Sequence, residues 1–366
     1  MGKMAVLGAG MMGTATAAHL ARRGHEVNLW GTELDKDIID ALRKGKEHPT
    51  LHSPLPLNIR LFQATELEEA VDKRNIVIIA VISSAVGKII QRAEAFFKKG
   101  TIVVNVAKGL PSHPHLTLCD LIKEKISSRL LDGVQIVGMG GPARANELIR
   151  EIHTEVVFGA RKVEEAKSCC CAFRNSRFRT NATTDMIGVE LCAAMKNAFA
   201  IVIGICDGLG QPVDNTKAAL MSQAVVEMSR IILPLGGRLE TISGPAGVGD
   251  LYLTVQSGRN GALGRLLGQG MKIEEALEKM KGQTIEGYAT ARGMHRLAKR
   301  LEKKGELDLN KDLPLFRELY AVLYEGKPAR RVIKDYWGRH LSAAKQGSFL
   351  CQEQSLDPSM KETPEK

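Results

Sequence analysis

The run Gly8-Ala9-Gly10-Met11-Met12-Gly13 constrains the fold more tightly than any other part of the chain. An apolar strand pattern, Met4–Leu7, leads into it, a helix-forming stretch, Thr14–Arg23, leaves it at once, and a second strand pattern follows at Glu26–Trp30. A glycine turn in that position inside a βαβ unit is where G-x-G-x-x-G holds a dinucleotide. Gly8 makes the tight turn, Gly10 lets the backbone approach a pyrophosphate, and Gly13 lets the helix pack close to the sheet. The helix start adds free N–H groups and a positive dipole end.

Further apolar runs at 76–81, 101–106 and 134–139 alternate with stretches of helical spacing such as 84–99. Continuous apolar strands separated by helices imply a parallel sheet covered on both faces. From about Ile187 the pattern turns to long helices, including Thr216–Leu233, Ile273–Met280 and Ala289–Leu301. The expected class is α/β: a Rossmann-like N-terminal domain with a mainly helical C-terminal domain. The boundaries read as 1–185 for the dinucleotide-binding domain, 186–343 for the helical substrate-binding domain, and 344–366 for a polar tail expected to be disordered.

Composition removes several functions. The net charge of +10 is dispersed among 41 acidic residues, and aromatics are only 4%, too few for base-stacking platforms, so nucleic acid is not an expected partner. The excess cations either draw in small phosphorylated anions or are simply solvated surface. Seven cysteines, three of them consecutive at Cys169–Cys171, show no C-x-x-C spacing. No metal site is expected, a reducing cytoplasm fits best, and the triple cysteine reads as small residues on a buried helix. The N-terminus lacks the basic and long apolar regions of a secretory signal.

Residues 187–206 are long and apolar enough to cross a membrane, but Glu190, Lys196 and Asn197 oppose it, a central lysine by about 3 kcal/mol. A buried core helix, with no membrane span, is the expectation. Lys196 has apolar neighbours on every side: Cys192, Ala193, Phe199 and Ala200 on its own face, Leu191, Met195, Val202 and Ile205 elsewhere. Burial disfavours a charged lysine and pulls its pKa toward the range of a working acid or base. Equally, the stem could pack while the ammonium reaches the surface or a carboxylate. The cofactor question is also open. Glu33 stands about where an acidic residue accepts from the NAD ribose, whereas Gly31, Thr32 and Lys36 suit a 2′-phosphate, so the reading is NAD(P)H with a lean to NADP.

Several ordered motifs then decide more than one glycine loop can. "VAKGL" (106–110), "GGPARANE" (140–147), "GVELCAAMKNAFAIVIGICDGLG" (188–210), "DNTKAAL" (214–220), "GPAGVGDLYLT" (244–254), "SGRNGALGRLLGQG" (257–270) and "IEGYATAR" (285–292) together resemble the NAD(P)-dependent glycerol-3-phosphate dehydrogenases, from Met4 to about Arg339. "WGTELD" (30–35), "GKEHP" (45–49) and "GRNGALG" resemble the archaeal-type branch. The resemblance implies a homodimer that interconverts dihydroxyacetone phosphate and sn-glycerol 3-phosphate without a metal.

The same resemblance implies roles. Lys196 is the general acid/base at the substrate oxygen, Lys108 contacts that end of the substrate and the nicotinamide, and Asp250 holds the reacting lysine. Arg259 and Asn260 form the phosphate-binding pair, with Arg259 also at the cofactor, while Gly141, Asn197 and Thr254 line the substrate. Gly8, Gly10, Met11, Met12, Gly13, Glu33, Ala145 and Glu286 line the cofactor, Glu286 on its ribose side. The chemistry agrees: hydride transfer to a ketone leaves an alkoxide, which needs a proton and a nearby positive charge. Lys108 could instead be a surface cation, Asp250 a helix cap, and Arg259 an ordinary loop residue.

Some positions depart from the family pattern: Ala143 after "GP", Gln211-Pro212-Val213 before Asp214, Met11-Met12 in the loop, and Gly258. Two other readings stand beside the main one. A related β-hydroxyacid or 6-phosphogluconate dehydrogenase would also use an interdomain lysine, but on a carboxylate substrate. A nucleotide sensor would keep the loop without needing Lys196, Asp250 and Arg259.

Overall fold

The structure, a computed structural model, describes residues 2–111, 115–131, 133–210, 213–256 and 258–345. Among them, eight strands form one sheet: β1 (Lys3–Leu7), β2 (Glu26–Trp30), β3 (Ile59–Phe62), β4 (Ile76–Ile79), β5 (Ile102–Asn105), β6 (Gln135–Gly140), β7 (Thr154–Ala160) and β8 (Phe178–Thr183). Their order is β3-β2-β1-β4-β5-β6-β7-β8. The chain winds outward from β1 in one direction and from β4 in the other. This reversal opens a crevice at the carboxyl ends of β1 and β4, the place where open α/β sheets bind ligands. The glycine loop leaves β1 there.

The sheet is parallel except where β6 meets β7, with Val137 opposite Ala160 and Gly140 opposite Val157. Sequence periodicity gives a wholly parallel sheet and does not separate β3, β7 or β8. A parallel return needs a crossover of a dozen or more residues, usually a helix. Between Gly140 and Thr154 the chain forms only the four-residue helix Ala145–Leu148, which does not run back the length of a strand, so the next strand returns antiparallel. The helical stretch at 84–99 is also less regular than its spacing suggests: a 3₁₀ turn, the helix Val86–Ala93, then a second 3₁₀ turn. Apolar residues cover both faces of the sheet in separate clusters.

The helical domain is built around one helix, Met186–Gly208. It is long and apolar enough to cross a membrane, but its apolar window is entirely buried inside the protein. Asp185 caps it, accepting from the Gly188 N–H at 2.7 Å. Its closest neighbour is the helix Arg259–Gly268, and glycine makes that approach possible. A Cβ on Gly204 would sit 2.5 Å from the Gly261 carbonyl oxygen, and one on Gly264 or Gly268 would strike the Ile201 or Ile205 carbonyl. The two backbones therefore touch, and the residues at the start of the second helix are fixed against the middle of the first. Cys169 and Cys170 are buried on the helix Val163–Phe173, while Cys171 is exposed on it. Apart from Ala344 and Lys345, which finish a helix, the polar tail lies outside the described residues, as do Gln211 and Pro212.

Candidate active site

The glycine loop has the shape a dinucleotide requires. Gly8 has φ +114°, and a Cβ there would come within 2.5 Å of the Ala80 carbonyl oxygen, while one on Gly13 would strike the Gly8 carbonyl. These two are glycines because protein surrounds them. Gly10 differs, because a Cβ on it would meet nothing within 4 Å. Its backbone is bare toward open space at the start of the helix Met11–Arg22, which fits a pyrophosphate resting on helix N–H groups. Met11 is exposed and Met12 half-buried beside it.

Two residues that sequence reasoning passed over brace this loop. Asp35 Oδ2 accepts from Thr32 N and Thr32 Oγ1, each at 2.8 Å, and from Ala9 N at 3.3 Å. His48 Nδ1 accepts from Thr50 N at 3.1 Å and Leu51 N at 3.2 Å, so its proton sits on Nε2, 3.2 Å from the Ala9 carbonyl oxygen. Glu33 is exposed and bound to Arg92 at 2.8 Å. Glu286 begins the helix Glu286–Lys303 and accepts from Ser83 Oγ at 2.7 Å, tying the helical domain to the segment after β4. Ala145 is buried at the start of its short helix after β6.

Across the crevice, Lys196 projects from the middle of the long helix. Its side chain is only 6% exposed. Nζ donates to Asp250 Oδ1 at 2.6 Å and to Thr254 Oγ1 at 2.6 Å, and the Thr254 hydroxyl in turn donates to the Asp250 carbonyl at 2.7 Å. Lys108, just beyond β5, donates to the other oxygen of the same carboxylate, Oδ2, at 2.7 Å, and to the carbonyl of Gly141 at 3.0 Å. Gly141 holds φ +117°, where any Cβ would press on the Glu155 carbonyl oxygen at 2.9 Å. Asp250 opens the helix Asp250–Gln256 and is fully buried.

Two ammonium groups thus share one buried carboxylate. Burial pulls the Lys196 pKa down to about 7; Asp250 opposes this and Lys108 reinforces it. An ammonium has three N–H donors, and each lysine spends two of them on the contacts above. One donor on each remains for a ligand oxygen.

The expected phosphate pair divides. Arg259 is the first residue of its helix, exposed, and makes no ion pair among the described residues; Gly258 before it has φ +151°. Asn260 is buried and mostly committed to the fold, with Nδ2 donating to Asn197 Oδ1 at 3.0 Å and Oδ1 accepting from Gly287 N at 2.9 Å. Asn197 Nδ2 donates to the Ala193 carbonyl at 3.3 Å. These two asparagines join three helices behind the lysine, with one amide hydrogen of Asn260 left over. Among the described residues, no group of three or more His, Cys, Asp or Glu side chains is placed to hold a metal ion.

A nucleotide-binding sheet facing a helical domain that supplies a desolvated lysine is the architecture of a dinucleotide-dependent oxidoreductase. Known proteins narrow this. Residues 3–166 match the N-terminal family model of NAD-dependent glycerol-3-phosphate dehydrogenase, and residues 185–334 match the C-terminal one. The chain is 37% identical over 329 residues to the glycerol-3-phosphate dehydrogenase [NAD(P)+] of a Thermoanaerobacter species, covering 89% of this chain and 93% of that one. It is 33% identical to the enzyme of the same name from Bacillus licheniformis, covering 93% and 95%. The crystal structure of glycerol-3-phosphate dehydrogenase from Coxiella burnetii superimposes with a TM-score of 0.79 at 30% identity, covering 92% of this chain and 98% of that one. The chain belongs to the NAD-dependent glycerol-3-phosphate dehydrogenase family.

Proposed function

We propose that the protein interconverts dihydroxyacetone phosphate and sn-glycerol 3-phosphate using NAD(P)H, with Lys196 as the general acid/base. The observation that carries this reading is the shared carboxylate: Asp250 lies 2.6 Å from Lys196 and 2.7 Å from Lys108. The bound dinucleotide supplies or accepts the hydride. The protein's residues handle the oxygen. In reduction, the third N–H of the Lys196 ammonium donates a proton to the carbonyl oxygen as negative charge develops there, and the lysine ends as a neutral amine. In oxidation, the neutral amine accepts the proton from the alcohol. Asp250 orients Nζ throughout, and Lys108 adds a fixed positive charge beside the same oxygen.

Arg259 takes the substrate phosphate with its planar fork at a helix start, and Asn260 contributes its spare amide hydrogen. Gly141 and Thr254 border the reacting end, and Asn197 holds Asn260 in place. On the nucleotide side, Gly8–Gly13 carries the pyrophosphate, Ala145 and Glu286 line the cofactor, and Glu33 borders the adenosine ribose. The lean to NADP rests on Gly31, Thr32 and Lys36. The division into domains at Asp185 rests on the change of pattern there. The archaeal-type branch rests on its sequence motifs alone. A homodimer in the cytoplasm completes the proposal, supported by the family resemblance and by the free thiols of six cysteines.

The test is the loss of NADH or NADPH absorbance with dihydroxyacetone phosphate as acceptor. Oxidation of at least one dinucleotide is expected, and oxidation of neither overturns the proposal.

A further inference from the structure

Glu190 is a buried carboxylate with no part in the chemistry above. It lies on the long helix between Asp185 and Lys196, and the surrounding protein is built to hold it. Its Oε1 accepts from Asn105 Nδ2 at 2.6 Å, and its Oε2 accepts from the Cys119 backbone N–H at 2.8 Å. Strand β6 has Gly138 alongside, where a Cβ would come within 2.9 Å of Glu190 Cγ. Thr117 and Cys119 are the other polar groups that face it.

Asn105, the last residue of β5, passes this restraint on. Its Oδ1 accepts from the Ala107 N–H at 3.2 Å, and its Nδ2, besides bonding Glu190, donates to the Ala107 carbonyl at 3.2 Å. One carboxamide therefore holds both backbone groups of Ala107, the residue before Lys108. Without Glu190 the carboxamide would lose its own anchor.

We infer that Glu190 is a positioning residue for Lys108: through Asn105 it fixes the backbone at Ala107 and so sets the Lys108 ammonium against Asp250. The long helix thus contributes to the site twice, directly through Lys196 and indirectly through Glu190. The inference rests on the proposed roles of Lys108 and Lys196 in turnover. The placement of Lys108 can nevertheless be read without turnover.

The polarity of the Glu190–Asn105 bond supplies the experiment. In Glu190→Gln, an amide N–H₂ must face another donor, at Asn105, Ala107 or Cys119. In Asn105→Asp, two buried acids face each other, and the N–H₂ that served Glu190 and the Ala107 carbonyl is gone. In the double variant, the new Asp accepts from Ala107 N and from the new Gln, whose oxygen accepts from Cys119 N, so the bond between positions 105 and 190 is restored in reverse while the Ala107 carbonyl loses its donor. Each single variant should lose about 10²-fold in kcat, as a misplaced catalytic group does. The alkaline midpoint of the reduction pH profile should rise, because Lys108 recedes from Lys196, whose other close polar neighbours are Asp250 and Thr254. Acetylation of Lys108, read by mass spectrometry on the free protein, should quicken in both single variants. The double variant should recover part of all three, because it regains the Ala107 N–H bond and the link to position 190 but not the bond to the Ala107 carbonyl.

Single variants with normal kcat, pH midpoint and Lys108 acetylation overturn the inference, as does a double variant no better than the worse single one. If Glu190→Gln does not fold, Asn105→Asp and the double variant carry the same readouts. Recovery of folding alone, with the midpoint and Lys108 labelling unmoved, would show a structural role only. Wild-type protein that oxidises neither dinucleotide defeats the proposed function instead, and the acetylation result still decides this inference.

Discussion

Lys196 and Asp250 meet at 2.6 Å in a place where their side chains are 6% and 1% exposed. Burial is what chiefly disfavours the charged form of Lys196; Asp250 opposes this, and the second ammonium, Lys108 at 2.7 Å from the same carboxylate, adds to the lowering. Lys196 is the more buried of the two lysines, and its proton is held loosely, with a pKa of about 7.

That value sets the pH dependence. Reduction needs the ammonium, so its rate should fall as pH rises through about 7, and oxidation, which needs the free amine, should rise over the same interval. Lys108→Met removes a charge that lowers the Lys196 pKa and should move both midpoints upward. Profiles of kcat in the two directions check this, and midpoints that stay put in Lys108→Met would contradict it. The folded chain also binds fewer protons than the unfolded one between about 7 and the ordinary lysine value of 10.5, so the cost of burying this group diminishes, and stability rises, as pH rises across that window.

The glycine loop predicts a contrast between neighbours. Gly10→Val should fold normally, because its Cβ enters open space, yet lose nucleotide binding by blocking backbone approach to the pyrophosphate. Gly13→Ala, whose Cβ strikes the Gly8 carbonyl, should lose stability as well. Calorimetric titration with thermal melting separates the two. Unchanged affinity in a folded Gly10→Val protein would remove the loop from the site.

Arg259 should separate anchoring from chemistry. Arg259→Ala is expected to raise KM for dihydroxyacetone phosphate strongly and to lower kcat in part, because binding energy at the phosphate helps to position the carbonyl. Arg259→Lys should rescue incompletely, since a point charge lacks the two-pronged fork. Unphosphorylated dihydroxyacetone should be a poor substrate for every form. An equal loss in kcat/KM for both ketones would show that Arg259 does not read the phosphate.

Glu227 offers a test of the helical core away from the site. Its carboxylate accepts from Leu315 N at 2.7 Å and Phe316 N at 2.8 Å, capping the helix Pro314–Tyr324, and burial pushes its pKa up to about 7. A raised folded-state value means that the folded chain binds more protons than the unfolded one between about 4.5 and 7. This group's contribution therefore declines as pH rises through that window. Glu227→Gln should flatten that part of the Tm profile, and a profile with the wild-type slope would contradict the assignment.

Much of this is legible in the sequence, for identifiable reasons. The βαβ start, the long buried helix and the placement of Lys196 follow from local pattern, because burial on every side leaves an unbroken apolar run around one charge. β8, Phe178–Thr183, was not legible: it lies at the sheet's edge and its polar sequence, FRTNAT, carries no strand period. Asp35, His48, Asn105 and Glu190 escaped for a different reason. Each acts through a partner distant in sequence, as Asn105 does across 85 positions to Glu190. Asn260 shows the reverse: motif resemblance pairs it with Arg259, and nothing in the sequence tells that its other bonds join helices.

The most direct test of the account is Lys196→Met, which keeps the apolar stem and deletes the nitrogen. The measurement is kcat for dihydroxyacetone phosphate reduction at saturating substrate, with dinucleotide affinity and Tm measured on the same preparation. A loss of about 10²–10⁴-fold in kcat, in a folded protein that binds dinucleotide normally, is the predicted result. A folded Lys196→Met protein that turns over at nearly the wild-type rate would contradict the account, leaving Lys196 as a packed side chain.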